Sequence, residues 1–155
     1  MMSREWSGEP TDADLAAIVR AARVVAVLGM KDDARAGEPA IEIPRLLVAR
    51  GLEVIPVNPT IKSALGRPAY ARLADVSVAF DLLDVFRRAE NVPAIADEVL
   101  ALPPERRPRV VWLQSGIRHE AAAARLRAAG ITVVQDACLG VLAARYRPAG
   151  PPETA

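Results

Sequence analysis

Three stretches of this chain set residue types that hold anions directly behind apolar runs. The first is Gly29-Met30-Lys31, with Arg35 a little further on, after Val24-Val25-Ala26-Val27-Leu28. A glycine there permits a sharp turn, the two cations attract phosphate, and a following helix would direct unpaired N–H groups at the same point. The full G-x-G-x-x-G pattern is absent, since Gly29-Met30-Lys31-Asp32-Asp33-Ala34 lacks its second and third glycines. An anion would therefore be held mainly by side chains, and the plainer reading is a strand-ending glycine among solvated charges. The second stretch is Leu52-Glu53-Val54-Ile55-Pro56-Val57, which ends in Asn58-Pro59. A dinucleotide-binding domain usually carries an acid there for the ribose hydroxyls. Glu53 cannot serve, because it lies about 13 Å or more from the strand's end at about 3.3 Å per residue. With no carboxylate, and with Lys62 and Arg67 nearby, a ribose phosphate would be tolerated; alternatively, Asn58-Pro59 is simply a turn. The third group is Asp84-Val85-Phe86-Arg87-Arg88 together with Gln114-Ser115-Gly116-Ile117, an apolar pair with two guanidinium groups and a second glycine turn.

The elements that must position these groups follow from periodicity. Thr11-Asp12-Ala13-Asp14 has the form of a capping box, and Leu15, Ile18 and Val19 continue it at helical spacing, which predicts a helix near 12 to 22. Residues 24 to 28 read as a strand buried on both faces. Ile43, Leu46 and Leu47 mark a helix, with Pro44 in its first turn and Gly51 beyond its end. Strands are predicted at 52 to 57, 78 to 85, 110 to 114 and 131 to 134, and a short helix or turn at 70 to 75. Helices are expected from Asn91 to about Leu100, from about Arg118 to Ala129, and from Leu139 to Tyr146. Strands alternating with helices call for an α/β fold, a Rossmann-like, doubly wound parallel sheet of five strands in a single domain. The predicted strand order is 3-2-1-4-5, with its switch point between strands one and four, where ligands of such sheets bind.

Bulk composition narrows the function. A chain of 155 residues suits one core, burying roughly 70% of the surface its unfolded form exposes. At 52% hydrophobic and 25% charged residues it falls in the globular range. The net charge of +1 supplies no broad basic field for nucleic acid or anionic membrane. Cys138, the single cysteine, rules out an intramolecular disulfide and a thiolate metal cluster. No run approaches the roughly 20 apolar residues that span a bilayer, and the start of the chain has no signal-peptide pattern. These features predict a cytoplasmic protein with one domain over 1–147 and a disordered Pro- and Gly-rich tail over 148–155. No metal cluster is visible, and His119 has no nucleophile beside it, so no catalytic residues are predicted.

Taken together, Val25-Ala26-Val27-Leu28-Gly29, Val54-Ile55-Pro56-Val57-Asn58-Pro59, Asp81-Leu82-Leu83-Asp84-Val85-Phe86-Arg87 and Val111-Trp112-Leu113-Gln114-Ser115-Gly116-Ile117 resemble the signature blocks of the small bacterial CoA-binding proteins. Their Rossmann-like fold is similar to the CoA-binding domain of the succinyl-CoA synthetase α subunit, and the blocks span about Ala21 to Leu142. Coenzyme A carries a 3′-phosphate on its ribose, which fits the missing acid after strand two. The resemblance implies non-catalytic binding of coenzyme A or an acyl-CoA. It would place Gly29, Met30, Lys31 and Arg35 at the pyrophosphate, and Asn58 and Pro59 beside the adenosine. Val85, Phe86 and Arg87 would line the wall, with Gln114 and Gly116 on the pantetheine side. The loop Asp32 to Pro39 departs from the family pattern, leaving open which basic residue meets phosphate. Cys138 matches a family cysteine, read either as a buried apolar residue or as a thiol able to form a mixed disulfide with CoA. The alternatives are a participant in acyl-CoA ligase chemistry, an NAD(P)-binding redox sensor and a purely structural interaction protein.

Overall fold

The computed structural model describes residues 9–148. The predicted tail lies outside these residues from 149 onward. Five parallel strands form the sheet: β1 (Val24–Leu28), β2 (Glu53–Val57), β3 (Leu82–Val85), β4 (Val110–Leu113) and β5 (Thr132–Val134). Helices α1 (Asp12–Ala21), α2 (Pro39–Ala49) and α5 (Leu139–Tyr146) cover one face, and α3 (Val92–Ala101) and α4 (Glu120–Ala128) the other. The α/β class, the five strands and the parallel pairing all agree with the sequence reading. The start of α1 agrees as well: the Thr11 hydroxyl accepts the Asp14 N–H at 3.2 Å, and the Asp14 carboxylate accepts the Thr11 N–H at 2.9 Å.

The strand order is corrected. It runs β2-β1-β3-β4-β5, so β3 pairs with β1 on the side away from β2, rather than lying outside β2. The reason is visible at β2. Its Glu53 N–H and Val57 carbonyl bond toward β1, while the Pro56 carbonyl faces outward and accepts the Tyr70 N–H at 3.0 Å. Proline has no N–H to give on that outer side, as suits an edge strand. The returning chain then closes the edge: Tyr70 bridges Val57, and the ladder of Ser63–Ala64 with Arg67–Pro68 sits beside it. The outer side of the carboxyl end of β2 is thus taken by Tyr70. The reversal in strand order therefore falls between β1 and β3.

Two boundaries also move. The third strand starts at Leu82 rather than Val78, because the Asp81 carboxylate accepts the Arg23 and Val24 N–H groups at 3.0 Å and turns the chain before the strand begins. The second helix begins at Pro39, which sets Pro44 in its second turn instead of its first.

Candidate functional site

The carboxyl ends of β1, β3 and β4 open into a crevice of about 740 Å³. Its place follows from the corrected topology, since chains leaving β1 and β3 diverge to opposite sides of the sheet. A smaller cavity of about 300 Å³ lies at the other end of the strands, between α1 and Asp81, Arg109 and Thr132. Only the larger one collects the glycine turn, cations and polar strand ends singled out in the sequence.

At the β1 end, Gly29 has φ of +84°, and an added Cβ would stand 2.3 Å from the Phe86 carbonyl oxygen and 3.2 Å from Arg87 Nε. Glycine is required here because the chain is left-handed and the next strand's exit crosses directly over it. The same closeness lays the Arg87 side chain over the turn. Lys31 is held by an unusual contact: Pro44 has no N–H for the Ala40 carbonyl one turn earlier, and that carbonyl instead accepts the Lys31 N–H at 3.1 Å. Lys31 and Arg87 both line the crevice, and neither is in an ion pair among the described residues. Arg35 is differently placed. Its guanidinium holds Glu38, whose hydrogen bond from Arg35 keeps its carboxyl below the usual range, and Glu38 rather than Arg35 lines the crevice.

On the far wall, Gln114 is buried, and its Nε2 donates to Asp84 Oδ1 at 2.6 Å. Asp84 is wholly buried on β3; burial pushes its carboxyl up to about 7, against the opposing hydrogen bonds from Gln114 and the Val85 backbone. Its second oxygen, Oδ2, has no hydrogen-bond partner among the described residues. Beyond Gln114, the Trp112 indole N–H donates to the Ala137 carbonyl at 2.9 Å, and the Ala137 N–H donates to the Leu113 carbonyl. These bonds fix Cys138 as the residue before α5, half-buried and on the crevice wall. Of its two readings, full burial is the one the structure does not show.

The residues singled out in the sequence thus separate. Lys31, Phe86, Arg87, Gln114 and Gly116 come together on the crevice lining. Met30 and Val85 are wholly buried beneath it. Asn58 is buried and internally bonded, donating to the Met30 carbonyl at 2.9 Å and accepting the Thr60 N–H at 3.0 Å and the Thr60 hydroxyl at 2.8 Å. Its amide ties the end of β2 to the loop after β1, and Pro59 is exposed away from the lining. Sequence reading missed Pro39, Ala40 and Ile43, which bring the start of α2 to the crevice. A proline is well suited to the first turn of a helix, and Pro39 was the available signal for that earlier start.

Among the described residues there is no group of His, Cys, Asp and Glu that could hold a metal, and no helix is long and apolar enough to cross a membrane. A crevice lined by cations, a neutral amide and a thiol, set at the reversal of a parallel sheet, defines a Rossmann-like domain with a cleft at the position where ligands of such sheets bind. The chain belongs to the CoA-binding domain family, whose profile matches residues 23–144. It is 35% identical over 132 residues to the uncharacterized protein YneT of Bacillus subtilis, covering 85% of this chain and 93% of that one. Among solved structures it is similar to cell-free ID.343 from Thermus thermophilus, with 40% identity, a TM-score of 0.78, and 88% and 98% of the two chains covered. A dinucleotide-forming acetyl-coenzyme A synthetase from Candidatus Korarchaeum cryptofilum shares the fold over 71% of this chain and 25% of its own, at 20% identity and a TM-score of 0.60.

Proposed function

We propose that this protein binds coenzyme A or an acyl-CoA in the crevice between β1, β3 and β4, without catalysing a reaction of its own. One observation carries the reading: Lys31 and Arg87, in no ion pair among the described residues, share a crevice lining with Gln114 and a half-exposed Cys138. That combination suits a ligand that carries both phosphates and a neutral, amide-bearing thiol arm. The family membership supports the same ligand class. A single cysteine and the absence of a spanning helix among the described residues fit a cytoplasmic setting.

Isothermal calorimetry with coenzyme A, NAD and NADP tests it. Coenzyme A should bind and NAD should not. Lys31→Ala and Arg87→Ala should each weaken binding by about tenfold, the scale of a hydrogen bond to a charged group. No heat and no thermal shift with coenzyme A would overturn the proposal.

A further inference from the structure

Resting on that reading, we infer that Asp84 is a positioning residue for the ligand, holding the Gln114 side chain so that its amide N–H donates to a carbonyl of the pantetheine arm. Gln114 is bracketed from both sides. Its Nε2 donates to Asp84 Oδ1 at 2.6 Å, and its Oε1 faces the Leu139 N–H, the first of α5, at 3.4 Å. The Leu139 contact gives the amide a single sense, because exchanging O and N would set donor against donor there. The second Nε2 hydrogen has no protein acceptor among the described residues, and Gln114 lines the crevice. The group that meets it must accept a hydrogen bond.

Ligand chemistry then follows from position. Gln114 lies on the wall with Ile117 and Cys138, while the cations that would hold phosphate belong to the β1 and β3 exits. Between phosphates and thiol, coenzyme A offers two amide carbonyls, and an acyl-CoA adds a thioester carbonyl. Asp84 is a buried acid on the adjacent strand, in no ion pair among the described residues, and the side chain bonded to it is that of Gln114. It touches the ligand only through Gln114.

A double-mutant cycle with two probes tests this. Coenzyme A is compared with adenosine 3′-phosphate 5′-diphosphate, which keeps the phosphates and lacks the arm. Gln114→Leu and Asp84→Leu should each weaken coenzyme A binding by about fivefold, the scale of one neutral hydrogen bond, and leave the armless probe unchanged. In the Gln114→Leu background the Asp84 substitution should have no further effect. Asp84→Asn, whose oxygen can still accept from Gln114, should bind coenzyme A as the wild type does. Additive losses, or equal losses with both probes, would show a merely structural Asp84 and overturn the inference. Wild-type protein that ignores coenzyme A would remove the proposed function and this inference together, whereas binding with additive losses removes only the inference.

Discussion

Asp84→Asn should change how folding stability depends on pH, and the size of the change follows from burial. Shifting a carboxyl from its ordinary 3.8 to about 7 is worth about 4 kcal/mol between its two protonation states. The sign is set by proton uptake: between about pH 4 and pH 7 the folded protein keeps the Asp84 proton and the unfolded chain has released it. Folding therefore binds a proton, and raising pH in that window opposes folding by about 1.4 kcal/mol per unit. Asparagine keeps the Gln114 contact and never ionises. Urea unfolding of wild type and variant at intervals from pH 4 to pH 8 reads the effect. The variant should gain about 4 kcal/mol relative to wild type across that range, even if an unpartnered amide hydrogen in place of Oδ2 costs about 1–3 kcal/mol at every pH. Taking the difference removes exposed carboxyls such as Glu42 and Glu120, whose values are lowered and which act at lower pH with the opposite sign. A stability difference that stays flat with pH would refute the argument, meaning that Asp84 ionises freely where it lies.

Two other outcomes test the site's construction. Gly29→Ala should destabilise the fold by about 2–4 kcal/mol in urea unfolding and abolish coenzyme A binding, since the new methyl meets the Phe86 carbonyl in a left-handed turn; a variant of wild-type stability would show that the turn is not this tight in solution. Cys138 should react with a maleimide in the free protein and at least about tenfold more slowly with saturating coenzyme A, and equal rates would move the ligand's arm away from α5.

Much of the fold was legible because apolar runs and caps are local. Thr11 to Asp14, the runs at 24 to 28 and 110 to 113, and the glycine after β1 each carry their message within a few residues. Strand order is not local, yet Pro56 holds a usable sign: a proline inside a strand belongs at an edge, which an order of 2-1-3-4-5 satisfies and the expected 3-2-1-4-5 does not. With β2 at the edge, Asn58 falls outside the crevice and spends its amide on Met30 and Thr60. Asn can donate and accept at once, so sequence alone does not tell a ligand contact from a turn that satisfies itself. Asp84 and Gln114 lie 30 residues apart and meet only because β3 and β4 are neighbours. Cys138 is placed by the Trp112 indole, a contact across 25 residues that no spacing rule reveals.

A crystal structure with coenzyme A tests the central claim most directly. The ligand should lie across the ends of β1, β3 and β4, its phosphates within reach of Lys31 and Arg87 and its thiol arm passing Gln114 toward Cys138. Coenzyme A found elsewhere on the surface, with this crevice closed by the protein's own side chains, would contradict it.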